Sequence, residues 1–201
     1  MKKIIFIDRD GVLNKDPAEA LCVNSIKDLH ILKPALKALR ILNEKKYRVY
    51  VISNQSGVGR GTLTKEALVK ITTKIKQTVI LNGGRIDGFY YCTHKPDDRC
   101  ECRKPKTGLI EKVLKNYKGD KKGIFFVGDR LSDVQTGHSA GLSAIVVLSG
   151  HTKSVDEMKE WEEKPEHVAK NLLEAVKNIV LKNETRYYVD GTGLKTGKDC
   201  I

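Results

Sequence analysis

The chain has 201 residues, enough for one substantial domain and too few for two generous ones. Hydrophobic content of 40% and charged content of 31%, with no apolar run of bilayer length, describe a soluble globular protein and exclude a membrane-spanning one. The formal charge of +12 comes from lysines dispersed along the chain, the pattern of a solvated surface or of a small anionic partner, and disfavours a nucleic-acid partner.

Ile4, Ile5, Phe6 and Ile7 form a short apolar run, which is how a strand covered on both faces of a parallel sheet reads. The run stops at Asp8-Arg9-Asp10-Gly11, so two carboxylates sit one residue apart where the strand leaves the sheet. Since this strand follows directly on two lysines, the N-terminus does not read as a signal peptide, and a cytoplasmic location is expected. Lys15–Lys27 has no clear period and is expected to hang over the strand exit as a flap or short hairpin.

Pro34 then opens a helix of about three turns marked by Leu36, Leu39 and Leu42. Val49–Ile52 predicts the second strand, with the polar exit Ser53-Asn54-Gln55-Ser56-Gly57. Thr64 is the expected N-cap of a helix with Leu68, Ile71, Ile75 and Val79 as its buried stripe, ended by Gly83-Gly84. Phe89–Tyr91 predicts a third strand running into Cys92, His94 and a loop with Cys100, Cys102, Arg103, Lys104 and Pro105. A helix bearing Leu109, Ile110, Val113, Leu114 and Tyr117 follows.

Ile124–Val127 is the fourth strand, ending at Gly128-Asp129-Arg130 before a helix with Asp133 in its first turn. Ala144–Leu148 is the fifth. Ser154 and Glu157 have capping-box spacing, and Val168, Leu172, Leu173, Val176 and Ile179 are read as a final amphipathic helix. Strands alternating with helices imply a mainly parallel central sheet covered on both faces, a Rossmann-like α/β three-layer sandwich. Residues 1–183 are expected to form a single domain and 184–201 a C-terminal tail. A monomer is the expected form. Gly57, Gly59 and Gly61 miss the third glycine of the dinucleotide fingerprint, and Gly191–Lys198 lacks the phosphate-loop gap, so neither reads as a nucleotide site.

Taken alone, Asp8 and Asp10 could simply polarise a turn. Four polar exits following strands one to four, however, can converge on one crevice in a doubly wound sheet. Asp8, Asp10, Asp129 and Asp133 offer the hard oxygen ligands that Mg²⁺ takes, while the Ser53 hydroxyl and Lys104 ammonium suit phosphate oxygens. Together they outline phosphoryl transfer, in which a carboxylate can be the covalent nucleophile. Cys92-x-His94 and Cys100-x-Cys102 supply three thiolates and one imidazole, a closed tetrahedral set for a structural Zn²⁺ that would position Arg103 and Lys104. Cys22 and Cys200 lie far from this cluster.

DRDGVLN at Asp8–Asn14, SNQSGVGRG at Ser53–Gly61, the cysteine loop ending CRKP at Cys102–Pro105, and GDRLSD at Gly128–Asp133 resemble the haloacid dehalogenase superfamily. Within it the chain is similar to the capless histidinol-phosphate and heptose-bisphosphate phosphatase family over roughly residues 2–150. The resemblance implies Asp8 as nucleophile and Asp10 as general acid and base. Mg²⁺ would be held by Asp8, the Asp10 backbone carbonyl and Asp129. Ser53 and Lys104 would stabilise the transferring phosphoryl group, and Asn54, Arg103 and Lys104 would bind substrate. The implied partner is a small phosphorylated metabolite: a heptose bisphosphate, with histidinol phosphate as runner-up. Polynucleotide 3′-phosphatases share a motif like SNQSGVGRG, but the cysteine loop resembles the sugar-phosphate branch. The flap segment departs from the family by lacking an aromatic–valine element.

Overall fold

The structure, a computed structural model, describes residues 3–17, 23–121 and 123–183. Six strands, β1 (Ile4–Ile7), β2 (Arg48–Asn54), β3 (Gly88–Cys92), β4 (Phe125–Gly128), β5 (Ser143–Val147) and β6 (His167–Ala169), form one all-parallel sheet. Their order is β3-β2-β1-β4-β5-β6. The order reverses at β1, so the loops leaving β1 and β4 part and open a crevice beyond their carboxyl ends.

Side-chain alternation along β1 divides the core between the two faces of the sheet. Ile5 and Ile7 pack with the helices α1 (Lys33–Glu44), α2 (Lys65–Leu81) and α5 (Leu172–Ala175). Ile4 and Phe6 point the other way, joining Phe126 and the helix α3 (Gly108–Leu114). α4 (Leu131–Ser139) lies on this second face, where Val134 packs with Ala144 and Val146. Pro34 stands in the first turn of α1, and Thr64 caps α2 by accepting from the Ala67 N–H at 3.0 Å. The chain after β1 returns through backbone bonds from Lys15 N–H to His30 and from Leu32 N–H to Leu13, which close the base of the expected flap.

Two expectations are corrected at the C-terminal end. Val168 belongs to β6, paired with Val146 of β5, and not to the final helix, so the described residues hold six strands rather than five. A three-residue edge strand is too short to show alternation, and the boundary is marked instead by Asn171, whose side chain accepts from the Leu173 and Glu174 N–H groups. The helix it caps passes into a π-helical turn at Val176–Val180. Ser154 and Glu157 do bond, at 3.3 Å, but lead only into a 3₁₀ turn at Asp156–Met158. The expected tail, 184–201, with Cys200 and the Gly191–Lys198 stretch, lies outside the described residues, as do Cys22 and the centre of the flap.

Ile75 on α2 is fully buried and distant in sequence from the polar strand exits. Ile75→Ala is expected to cost about 2–5 kcal/mol by the cavity it leaves. Urea unfolding should show a lower midpoint at an unchanged m-value, and a loss below roughly 0.5 kcal/mol would show that this helix does not cover the core.

Candidate active site

Asp8 follows the last residue of β1 and is anchored there, its N–H bonding the Val127 carbonyl at 2.8 Å. Across the crevice, Asp129 follows β4 and Asp133 lies in the first turn of α4. Oxygens of Asp8, Asp129 and Asp133 all lie within 4.8 Å of one another, and all three residues are buried. Three carboxylates so close repel one another unless a cation stands among them. Lys104 supplies one: its buried Nζ lies 3.0 Å from Asp8 Oδ1 and 2.5 Å from Asp133 Oδ1. Burial alone would strip the charge from Lys104, but Asp133 and Asp8 outweigh it and push its pKa up.

The remaining oxygens are not equivalent. Asp133 Oδ2 accepts from the Asp129 and Arg130 N–H groups at 3.0 and 3.1 Å, so both Asp133 oxygens are engaged. Asp129 Oδ2 accepts from the His151 N–H at 2.5 Å, while Oδ1 is buried with no hydrogen-bond partner among the described residues. Gly11, at φ +81°, and Gly150 close on Asp129 so tightly that a Cβ on either would come within 2.1 Å of Oδ2. Burial, with Asp133 and Asp8 adding to it, drives the Asp129 carboxyl up to about 8. Burial also raises Asp8 to about 6, against the pull of Lys104. An orphaned oxygen among hard carboxylates fits a divalent cation such as Mg²⁺, with Asp8 and Asp129 as its ligands.

The end of β2 places three consecutive side chains against this cluster. Ser53 is buried and accepts from Gln55 Nε2 at 3.1 Å. Asn54 clamps the Lys104 backbone, accepting from its N–H at 3.1 Å and donating to its carbonyl at 3.2 Å. Gln55 donates to Asp10 Oδ2 at 3.0 Å, and Arg9 and Asn14 bind the same carboxylate. Burial works to raise Asp10, but Arg9 and these hydrogen bonds hold it below the usual carboxylate range.

Behind Lys104 stands the thiol cluster. Cys92 Sγ lies 3.6 Å from Cys100 Sγ and 3.7 Å from His94 Nδ1, while Cys102 Sγ lies 3.5 Å from Cys100 Sγ and 3.2 Å from His94 Nδ1. A tetrahedral zinc with Zn–S near 2.3 Å spaces its sulfurs about 3.8 Å apart, so the four groups fit the edges of such a site. Gly59 lets the β2 exit loop press on this one, since a Cβ there would meet the Thr93 carbonyl at 2.6 Å.

Asp8, Lys104, Asp129 and Asp133 thus meet directly, while Gln55 links Asp10 and Ser53 to each other. Asn54, expected at the substrate, here serves the Lys104 backbone. Arg103 is half-buried, its Nη1 shielded and without a partner among the described residues. Sequence reasoning assigned no role to Arg9, Asn14 and Gln55. The one available sign was an arginine between two carboxylates at the exit of a buried strand.

A doubly wound sheet with acidic residues at its switch point and a buried lysine between two of them is the arrangement of a haloacid dehalogenase-like hydrolase, and comparison with known proteins decides that class. A family model described as HAD-hydrolase-like matches residues 101–175. The D-glycero-beta-D-manno-heptose-1,7-bisphosphate 7-phosphatase of Neisseria meningitidis serogroup A is 34% identical over 183 residues, 90% of this chain and 96% of that one. The D-glycero-D-manno-heptose-1,7-bisphosphate 7-phosphatase of Chlorobaculum tepidum is 30% identical over 195 residues, 91% of this chain and 96% of that one. The crystal structure of the D,D-heptose 1,7-bisphosphate phosphatase of B. bronchiseptica, complexed with magnesium and phosphate, superposes with a TM-score of 0.83 at 30% identity, covering 90% of this chain and 99% of that one. The chain belongs to the heptose-bisphosphate phosphatase family of the haloacid dehalogenase superfamily.

Raised folded-state pKa values mean that Asp8 and Asp129 hold protons more tightly folded than unfolded. Their contribution to stability is complete below the usual carboxylate value and is lost as the pH rises through about 6 and then about 8. A divalent ion held by these carboxylates would replace those protons, so the rise in Tm on adding Mg²⁺ to EDTA-treated protein should grow from pH 5 to pH 8. A rise independent of pH would argue that the ion binds elsewhere.

Proposed function

We propose that this chain is a Mg²⁺-dependent phosphomonoesterase working through an aspartyl phosphate, with D-glycero-D-manno-heptose 1,7-bisphosphate, cleaved at its 7-phosphate, as substrate. The observation that carries the reaction class is the buried Lys104 ammonium bracketed by Asp8 and Asp133, beside the unpaired Asp129 Oδ1. The substrate is supported by the relatives above, which match nearly the whole chain and bear this activity in their names.

In this reading Asp8 attacks phosphorus, and the bond from phosphorus to the sugar oxygen breaks. Asp10 gives its proton to that oxygen. Asp10 then takes a proton from a water molecule, which attacks the aspartyl phosphate, frees Asp8 and releases inorganic phosphate. Lys104 and Ser53 hold the transferring phosphoryl oxygens throughout, and Arg103 contacts the substrate. Mg²⁺ bound by Asp8, Asp129 and the Asp10 backbone carbonyl would neutralise charge on those oxygens. Asp133, both oxygens already engaged, is reassigned from the ion to the task of holding Lys104. Zn²⁺ at Cys92, His94, Cys100 and Cys102 would be structural, because protein atoms fill all four positions. Residues 1–183 act as one catalytic domain in the cytoplasm, where reducing conditions keep the thiols available. No helix among the described residues is long and apolar enough to cross a membrane.

Phosphate release from heptose bisphosphate, histidinol phosphate and a 3′-phosphorylated oligonucleotide tests the substrate, and the heptose should have the highest kcat/KM. A higher value for either competitor would overturn the substrate reading. Asp8→Asn keeps the shape while removing the attacking charge, and should lower kcat by roughly 10⁴-fold or more without loss of fold. Turnover near the wild-type rate would end the covalent mechanism. Cys100→Ser should lower zinc content and cut turnover by about 10–100-fold, with the Mg²⁺ dependence unchanged. Full activity in zinc-free wild-type protein would show that the loop is ordered in another way.

A further inference from the structure

Asp10 is gripped more completely than a turn carboxylate requires. Its Oδ1 accepts from Arg9 Nε at 3.1 Å and from Asn14 Nδ2 at 2.7 Å, and its Oδ2 from Arg9 Nη2 at 2.9 Å and Gln55 Nε2 at 3.0 Å. These four bonds fill the acceptor capacity of an ionised carboxylate. The donors come from inside the protein: Arg9 and Asn14 are 0% exposed and Gln55 is 1% exposed. A buried guanidinium adds little to packing and is unfavourable unless paired, so its place here is explained by Asp10 on one side and the Tyr91 ring, 5.8 Å away, on the other.

The two amides are themselves held in place: Asn14 Nδ2 also donates to the Lys15 carbonyl at 2.9 Å. Gln55 Nε2 also reaches Ser53 Oγ, so this amide stands between the proton carrier and the hydroxyl assigned to the phosphoryl group.

We propose that Arg9, Asn14 and Gln55 are positioning residues for Asp10: donors on both of its oxygens fix the plane of the carboxylate and keep it from rotating. This rests on the reading of Asp10 as the general acid and base. A carboxyl group held in one orientation can serve the leaving oxygen and the attacking water from the same place.

The test compares Gln55→Leu, Asp10→Asn and the double variant on two phosphate esters. One is an alkyl phosphate turned over by the wild type. The other is p-nitrophenyl phosphate, whose leaving group departs without a proton. With the alkyl ester, Gln55→Leu should lower kcat by about 10–100-fold at a KM near the wild-type value. With the aryl ester, rapid mixing should show a stoichiometric burst of nitrophenolate at a rate within about threefold of wild type, followed by slow turnover, because water activation still needs Asp10. The double variant should be no slower than Asp10→Asn, since Gln55 acts through Asp10. Gln55→Met, close to glutamine in volume and without a donor, should repeat the pattern, which guards against a folding failure in Gln55→Leu. Equal slowing of both esters without a burst, or a double variant slower by the full Gln55→Leu factor, would overturn the proposal. If Asp10→Asn itself fails to separate the two esters, the acid–base reading of Asp10 fails instead, and the positioning role falls with it.

Discussion

A single ammonium group makes the crevice possible. Lys104 Nζ sits between Asp8 and Asp133 in a site where both partners are buried, and the ring of Phe126 lies 5.4 Å from it on the core side. Removing one partner from such a pair leaves an uncompensated buried charge, at a cost of about 3–5 kcal/mol. Without the lysine, Asp8, Asp129 and Asp133 would face one another with nothing between them but solvent or an ion. The lysine thus allows the Asp8 carboxylate to remain close to its neighbours in a cleft largely closed to water.

Holding that lysine is the work of elements far apart in sequence. The thiol cluster shapes the loop that ends at Cys102, and Asn54 at the tip of β2 bonds both backbone groups of Lys104. Gln55 ties the same strand tip to the start of the cysteine loop through its N–H bond to the Cys92 carbonyl at 2.7 Å. Asp133 completes the frame from α4 by binding Lys104 with one oxygen and the Asp129 and Arg130 backbone with the other. The sheet order accounts for the convergence, because β1, β2 and β4 are neighbours and their exits open on the same side.

Much of this was legible from residues alone, since buried parallel strands read as apolar runs and their polar exits stand out against them. Asp8, Lys104, Asp129 and the four zinc-type ligands carry chemistry in their identity and spacing. Val168 was misread because a three-residue edge strand has too few positions to show a period. Asp133 is legible as an acidic residue at the crevice, but its bonds to Lys104 and to the Asp129 and Arg130 backbone are not, because they depend on how the first turn of α4 folds back on β4. The Asp10 cage was invisible for a related reason: Gln55 lies 45 residues from its partner, and the sequence carries no record of which amide meets which carboxylate.

The most direct measurement of the lysine's role is the thermal midpoint of Lys104→Met in EDTA and in saturating Mg²⁺. If the ammonium is what reconciles the carboxylates, the variant should lose far more stability than wild type in EDTA, and Mg²⁺ should restore much of that loss without restoring turnover. A variant as stable as wild type in EDTA would contradict it, because three buried carboxylates would then have been shown to need no internal cation.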